Sequence, residues 1–303
     1  RYGNLDIWRL PEFGLIPRFD SPENAFAAAQ EIAEAEIAVL AFATLPFYFP
    51  DSANWLARAG VEMGRRYLAL GDSAKAKSIF EKTAREYAGQ AEAAAFAEIE
   101  LAKLAGATAR FAEISADHPE SPAVQAFCAL ETGKALQSEG KLEAALQSFQ
   151  RIPPQYPAVR EVCYEALLRA GDILVALGRT EAGKASYVQI LIAYREQQNW
   201  RAAAINRLLD AAPQSVITTD TLAAYQRVIQ EYAAQPAIAL AARFRIAERL
   251  AREGEQKLAE NEYKGVVEAT ASSSDPFLRS LRGKAMGRLI HLYLNDNEFT
   301  AAS

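Results

Sequence analysis

Four stretches of the sequence repeat one pattern of small, large apolar and turn residues at the same spacing. In each stretch a Gly or Ala is followed at the third position by a large apolar residue and at the seventh by Gly. Another small residue follows at the twelfth position and an aromatic residue at the sixteenth. Apolar residues at helical spacing on both sides of a Gly predict two amphipathic helices joined by a tight turn. The four copies are Gly64-Tyr67-Gly71-Ala76-Phe80, Gly133-Leu136-Gly140-Ala145-Phe149, Gly171-Leu174-Gly178-Gly183-Tyr187 and Ala247-Leu250-Gly254-Ala259-Tyr263.

The intervals between the copies leave room for further units of the same kind. Degenerate units fill the two long intervals, a shortened one over residues 88–119 and another over about 202–235, whose helices are separated by an irregular stretch at 213–220. A last unit contains Met286 and Gly287 and is expected to end within its second helix. The repeat length follows from the turn glycines, which are 69, 38 and 76 residues apart, or two, one and two units of 34 to 38 residues; they are Gly71, Gly140, Gly178 and Gly254.

Close packing explains why the pattern uses small residues. The chain contains 62 alanines, about a fifth of its length, and Ala is both the best helix former and a small side chain. We expect the two helices of a unit to cross where the two small positions meet, with the aromatic side chain filling the wedge beside them. Each unit then has an apolar face that only a neighbouring unit can bury, so the units stack.

This pattern resembles the tetratricopeptide repeat (TPR), a helix–turn–helix unit of 34 residues. The two small residues correspond to positions 8 and 20 of that unit, the apolar residue to position 11 and the aromatic residue to position 24. Pro157 fits position 32 of the second copy, whereas the family's Trp at position 4 is absent and Gly60 stands there in the first copy. The resemblance implies an all-α fold of helix–turn–helix repeats stacked in a right-handed superhelix, or α-solenoid. It also implies a non-catalytic scaffold that binds other proteins.

The chain divides into two regions by pattern. Residues 51–303 are predicted to form a TPR-like array of about six to seven units, the last one truncated. Residues 1–50 are predicted to be an aromatic-rich N-terminal extension and a leading helix. In residues 1–20, Gly and Pro separate the aromatic residues, which predicts an extended segment that docks on the body or awaits a partner.

The leading helix has a clear start signal. Asp20 or Ser21 can cap it, and the alanines that follow are expected to carry it to about Thr44. An aromatic loop is then predicted at residues 47–49, between Pro46 and Pro50.

The resemblance also implies a binding groove. In TPR arrays, positions 2, 5 and 9 of the first helices line the concave face, and here apolar residues at position 5 accompany charges that change sign along the array. We predict that this groove binds an extended or helical segment of another protein, with apolar contacts for affinity and charges for direction. The alternative is that the charges are only solvated. The predicted groove residues are Arg58, Arg65, Phe127, Leu130, Lys134, Glu165, Leu168, Asp172, Phe244 and Glu248.

Composition argues against several other classes of function. A net charge of −5, from 33 Lys and Arg against 38 Asp and Glu, argues against a nucleic-acid-binding surface. The two His and two Cys are spread over residues 118 to 291, which argues against a Cys/His zinc cluster, and no phosphate loop, Ser elbow or His-Glu zinc motif occurs. We therefore predict no catalytic residue, metal or cofactor. The most apolar stretch, residues 37–49, is shorter than the roughly 20 residues that a membrane-spanning helix needs.

Two kinds of reactive side chain are predicted to be structural. Cys128 and Cys163 lie 35 residues apart, on first helices of adjacent units; a disulfide is conceivable, but two buried thiols are the favoured interpretation. Carboxylates two residues apart, such as Glu98 and Glu100, point to different helix faces, which predicts solvated surface groups.

The setting of the protein is predicted less directly. Units of about 38 residues joined by segments such as residues 117–122 resemble bacterial cell-envelope TPR scaffolds, which implies a periplasmic or envelope location. A truncated last unit leaves an apolar face exposed, which predicts self-association through that unit. The rival interpretation is a structural or regulatory part of a larger enzyme or assembly whose other domains lie outside this sequence.

Overall fold

The computed structural model describes residues 19–194, 197–215 and 221–301. In these ranges the chain forms fifteen α-helices and no strand, so the predicted all-α fold is confirmed. A short 3-10 turn, Ala212–Ser215, follows the eleventh helix. In chain order the helices are α1 (Pro22–Glu31), α2 (Ala35–Tyr48), α3 (Ala53–Ala69), α4 (Ser73–Glu86), α5 (Ala91–Ala105), α6 (Ala109–Asp117), α7 (Pro122–Ser138), α8 (Leu142–Gln155), α9 (Arg160–Ala176), α10 (Thr180–Ala193), α11 (Gln198–Ala211), α12 (Thr221–Glu231), α13 (Pro236–Arg252), α14 (Gln256–Ala269) and α15 (Pro276–Ala301).

The chain forms two compact units, residues 1–132 and residues 133–303, and each is built by the same packing rule. In the first unit, α3 packs against both α4 and α5. In the second unit, α9 packs against α10 and α11, and α13 packs against α14 and α15. A first helix therefore contacts its own second helix and the first helix of the next pair. This is the stacked, TPR-like repeat that the sequence pattern predicts.

The starts of the helices give the length of the repeat. Four successive first helices begin at Pro122, Arg160, Gln198 and Pro236, which are 38 residues apart. Each start lies four residues before position 1 of the TPR pattern, which in the third copy is Tyr164. The degenerate unit predicted to begin near residue 202 accordingly begins at 198.

A glycine facing an aromatic ring sets the crossing of the two helices in a unit. A Cβ placed on Gly133 of α7 would lie 2.5 Å from a ring carbon of Phe149 on α8, closer than real Cβ atoms come to their neighbours. Only a residue without a side chain fits at that separation. The ring itself is completely buried. The equivalent pairs in the first and third copies are Gly64 with Phe80 and Gly171 with Tyr187.

Position 20 contributes to the same crossing from the other helix. A Cβ on Gly183 of α10 would lie 2.9 Å from the carbonyl oxygen of Gly171 on α9. The two small positions of this unit therefore meet, as predicted. The aromatic ring, however, covers position 8 directly instead of filling a wedge beside it.

The turn after each first helix requires glycine for a different reason. At Gly178 the next amide, that of Arg179, donates a hydrogen bond of 2.8 Å to the carbonyl of Leu174. This 6→1 bond closes the end of α9 only if the intervening residue adopts a left-handed conformation, which Gly does without strain. All four predicted turn glycines have positive φ angles, 78° at Gly71, 76° at Gly140, 76° at Gly178 and 85° at Gly254.

The leading helix differs from the prediction. Residues 22–48 form two helices, α1 and α2, because Ile32 after α1 adopts an extended ψ of 119°. This break between the helices allows Phe26 of α1 and Phe42 of α2 to face each other, with ring centroids 5.3 Å apart. Both rings belong to one core cluster with Leu56 of α3. The predicted loop at 47–49 was also wrong in part, since Phe47 and Tyr48 belong to the last turn of α2.

The N-terminal extension contacts this cluster at Phe19, the first described residue. Phe19 packs against the α1–α3 core, while residues 1–18 lie outside the described part of the chain. The predicted docking of this extension therefore remains a prediction for those eighteen residues. Within the described ranges, no helix is both long and apolar enough to span a bilayer.

The last unit also differs from the prediction. Up to Ala301, the last described residue, it contains no turn and no second helix, because α15 continues without interruption from Pro276. In the four complete copies a Gly stands seven residues after position 8, whereas Leu294 stands at that offset from Gly287. Without a residue that enters the left-handed region easily, the helix continues.

Replacing the glycine at position 8 by alanine should have opposite effects on stability where an aromatic ring covers the glycine and where no atom does. Gly171→Ala should lower the free energy of unfolding by about 1–3 kcal/mol, because the new methyl group overlaps the buried ring of Tyr187. Gly287→Ala is the matched control at the same repeat position, where no atom lies within 4 Å of an added Cβ. It should raise the free energy by about 0.5–1 kcal/mol through helix propensity. Chemical denaturation of dilute protein measures both, and equal effects would contradict the assigned crossing.

Candidate functional site

A cleft of about 480 Å³ lies between the first helices α9 and α11 of the second unit. Its α9 side is formed by residues at intervals of three and four, which share one face of a helix. Since first helices of successive repeats stack side by side, their outward side chains meet along this line. We call this site the α9–α11 cleft; it is lined by Glu161, Tyr164, Glu165, Leu168, Arg169, Asp172, Trp200 and Arg207.

An aromatic cluster forms one end of the cleft. The rings of Tyr164 and Trp200 are stacked, with centroids 4.5 Å apart and an interplanar angle of 5°. Tyr194 packs edge-on against Trp200 at 5.4 Å, and burial raises the pKa of its hydroxyl to about 12. Burial likewise raises the pKa of Tyr164, with a further contribution from Glu165. These rings are held in place by one another and present a preformed apolar platform with neutral hydroxyl groups.

Beside the platform, the charges of the cleft are paired. Glu165 forms an ion pair with Lys134 at 2.9 Å and accepts a hydrogen bond of 2.9 Å from Arg169. Burial raises the pKa of Glu165, but these two cations outweigh it and leave the pKa below its usual value. Arg169 also reaches Gln137 at 3.3 Å, so α7 and α9 are linked across this network.

A second polar network joins the cleft to the helix crossing. The hydroxyl of Tyr187 donates a 2.8 Å hydrogen bond to Asp172, and Arg207 of α11 approaches the same carboxylate oxygen at 3.3 Å. Burial and the bond to Asp172 raise the pKa of Tyr187. The same Tyr187 ring covers Gly171, so the residue that fixes the crossing also orients a carboxylate of the cleft.

Two cleft residues are not part of these networks. Leu168 is half-buried between the charged pairs, and Glu161 is exposed at the rim. Within the described residues Glu161 forms no ion pair or side-chain hydrogen bond. The cleft therefore combines stacked rings, one aliphatic side chain, internally paired charges and one unpaired carboxylate.

The predicted groove residues of the second unit fall into two groups. Four of them, Lys134, Glu165, Leu168 and Asp172, lie in or beside the α9–α11 cleft. Phe244 was predicted to be an accessible contact, but it is only 9% exposed and packs against Tyr263 at 5.5 Å. Glu248, the remaining member, pairs with Arg288 of α15 at 3.1 Å.

In the first unit the predicted groove residues form separate contacts. Arg58 lies over the rings of Trp55 and Phe26, at 4.4 Å and 5.0 Å from their centroids. Phe127 packs edge-on against Phe96 at 5.1 Å. Leu130 was predicted to be an apolar contact for a partner, but it is 1% exposed and belongs to the core. Leu130 and Phe244 are wrong for the same reason: position 5 turns inward wherever the neighbouring helix packs closely against it.

Arg65 belongs to a buried network that corrects another expectation. Glu100 was predicted to be solvated but is 3% exposed, and it accepts hydrogen bonds from Arg65 at 2.8 Å and from Lys103 at 2.7 Å. Burial raises the pKa of Glu100, but the two cations lower it to a net value below its usual range. Arg65 also pairs with Glu62 at 2.8 Å, so its guanidinium is held within the first unit.

Five cleft residues were not predicted from the sequence, namely Glu161, Arg169, Arg207 and the stacked rings of Tyr164 and Trp200. The signal that could have identified the two rings is the 38-residue spacing, which starts each first helix one turn early and brings Tyr164 and Trp200 to the same end of adjacent helices. The preference for buried thiols is confirmed, since Cys128 and Cys163 are both buried and free. Burial, assisted by Glu131, raises the pKa of Cys128 to about 11.

Comparison with known proteins adds a likeness to a solved TPR domain. No family model and no curated protein matches the chain. The crystal structure of the TPR domain of P58(IPK) is similar over 89% of this chain and 98% of that one, at 12% sequence identity and a TM-score of 0.23. At that score the two chains superpose poorly as wholes, so the TPR-like repeat rests on the helix pairs and glycine–ring contacts of this chain.

The Glu100 network predicts a pH-dependent loss of stability. Glu100→Gln should lower the free energy of unfolding by about 2 kcal/mol at pH 7, because Arg65 and Lys103 lose a charged acceptor. A carboxylate whose native pKa is lowered contributes above its unfolded pKa, near 4.3, and loses that contribution as the pH falls through the native value. The difference from the wild type should therefore be complete above about pH 5 and shrink in acid.

The control is two residues away on the same helix. Glu98→Gln removes a half-exposed carboxylate that pairs with Arg110, and it should cost less than about 1 kcal/mol. Equal costs for the two variants, or a pH-independent cost at Glu100, would contradict the buried network.

The thiols predict slow chemical modification. In native protein at pH 8, Cys128 should react with a disulfide reagent at least about 100-fold more slowly than in unfolded protein, since its thiol is buried and its pKa is about 11. Absorbance of the released thiolate measures both rates. Comparable rates would show that Cys128 is accessible.

Proposed function

We propose that this protein is a non-catalytic scaffold that binds a segment of another protein along its first-helix face, with the α9–α11 cleft as the main contact. The observation that carries this proposal is the stacked pair of Tyr164 and Trp200 beside Leu168, a preformed apolar platform in a cleft. Aromatic residues in partly enclosed sites supply much of the affinity in protein interfaces, because they bury a large area with little loss of side-chain entropy.

In this proposal the charges in the cleft determine which partner segments bind and add little to affinity. Lys134 and Arg169 are paired with Glu165, and Arg207 is paired with Asp172, before a partner arrives. A partner gains little by adding one more charge to a satisfied pair, and it loses affinity if it leaves a charge of the pair buried and unpaired. The unpaired Glu161 at the rim favours a basic residue of the partner at that end.

The partner-binding test uses a photo-crosslinking amino acid at position 161, at the rim of the cleft, in otherwise complete protein in its native cell. The matched control carries the same amino acid at position 192, where Ile192 is 69% exposed on the second helix α10. We expect one stoichiometric polypeptide crosslinked from position 161 and absent from position 192. The same products from both positions, or none from position 161, would contradict binding in the cleft.

A second variant measures the contribution of the platform. Trp200→Ala should reduce crosslinking of that polypeptide from position 161 more than tenfold, because an aromatic anchor of this kind contributes about 2 kcal/mol or more. Ile192→Ala should leave it unchanged. Circular dichroism of both variants verifies that the helices are retained.

An envelope location is proposed separately, on the resemblance in unit length to envelope scaffolds that the sequence suggests. Fractionation of the native cell tests it. Recovery from the cytoplasmic fraction would contradict the location and leave the binding function to the crosslinking result.

A further inference from the structure

The outward face of α15 is apolar and uncovered within the described residues. Gly283, Gly287, Ile290 and Leu294 follow one another at intervals of four, three and four, so they share a face. Ile290 is 58% and Leu294 is 60% exposed, and a Cβ on either glycine would meet no atom within 4 Å. In the first three complete repeats the glycine at the position of Gly287 is covered by an aromatic ring.

The outward face of α2 has the same spacing. Glu36, Leu40, Ala43 and Phe47 also follow at intervals of four, three and four. Leu40 is 46% exposed and Phe47 is 86% exposed, the highest value among the large apolar side chains with described exposure. Glu36 is the one charged residue of this helix, which is otherwise apolar on nearly all sides. A helix of that composition is normally buried.

Opposite charges surround the two faces. Over residues 276–294 of α15 there are basic residues and no acidic ones, and Arg279 and Lys284 are exposed and have no ion pair within the described chain. Residues 19–50 contain no Lys or Arg, and their five carboxylates are exposed and form no ion pair within the described chain. These carboxylates are Asp20, Glu23, Glu31, Glu34 and Glu36.

We propose that the protein associates head to tail, with the α15 face of one copy packed on the α2 face of a second copy. The exposed ring of Phe47 then covers the glycine surface of α15, as the rings at position 24 cover the glycines inside the repeats. The carboxylates around α2 meet Arg279 and Lys284. This surface is separate from the α9–α11 cleft, and the association does not depend on the function proposed for that cleft.

The charges select this pairing over the symmetric ones. Two α15 faces would bring basic residues together, and two α2 faces would bring carboxylates together, so both symmetric contacts are repulsive. A contact between two different faces leaves one free face at each end. It therefore grows into longer chains as the concentration rises, unless the rotation between copies closes a ring.

Sedimentation velocity of the 303-residue chain at several concentrations tests the association. We expect species larger than one copy that increase with concentration and decrease at high salt, since screening weakens the charge contacts. Phe47→Glu and Ile290→Glu should each reduce the association constant more than tenfold. Ile192→Glu is the control, with a comparably exposed apolar residue on α10, and should change nothing.

Mixing the two variants distinguishes head-to-tail contact from every symmetric alternative. The Phe47→Glu chain retains a functional α15 face and the Ile290→Glu chain retains a functional α2 face. The mixture should therefore form a one-to-one complex that grows no further, while each variant alone stays monomeric. A single species at all concentrations, or two variants that fail to combine, would overturn the proposal. Association that survives Phe47→Glu would assign the contact to two α15 faces instead.

Discussion

The contact between a residue without a side chain and an aromatic ring is the constraint on which this structure depends. Where Gly171 faces Tyr187, an added Cβ would overlap a ring carbon, so the two helices of the unit are too close for a side chain at that point. That approach fixes which sides of the helices point inward, and so which sides remain for binding. In the third copy the ring of Tyr187 also contributes to the α9–α11 cleft, because its hydroxyl donates a hydrogen bond to Asp172. Packing and site are thus set by one side chain.

The parts of the fold that depend on local chemistry could be predicted from the sequence. The turns at Gly140 and Gly178 and the small–aromatic spacing recur because each is decided within about sixteen residues. The break between α1 and α2 could not be found in this way. No Gly or Pro marks it, and Ile32 leaves the helix so that Phe26 can pack on Phe42. The missing turn in the last unit could have been predicted from the sequence, since Leu294 occupies the position at which the four complete copies have Gly.

The repeat positions predicted which residues lie on the first-helix face, but not which residues they contact there. Repeat positions placed Lys134, Glu165 and Asp172 on one surface, and in the structure Lys134 pairs with Glu165, which lines the same cleft as Asp172. Their partners could not be predicted, because Lys134 and Glu165 come from different helix pairs. Position 5 shows the limit of the pattern. It lies at the border between core and surface, so the adjacent helix buries Leu130 almost completely and leaves Leu168 half-exposed.

The distribution of paired and unpaired charge separates the two surfaces physically. In the α9–α11 cleft, charges from α7, α9 and α11 already satisfy one another, so a ligand there must bring apolar area to gain affinity. The five carboxylates around α2, and Arg279 and Lys284 on α15, have no ion pair within the described chain, and the apolar residues between them are exposed. The unpaired charges on these two apolar faces cost an isolated copy little free energy, because water solvates them. They can form ion pairs with each other when the two faces meet. On the two proposals, a cleft whose charges are paired except for Glu161 selects a segment of another protein mainly by shape, whereas the unpaired charges on the α2 and α15 faces favour contact between those faces.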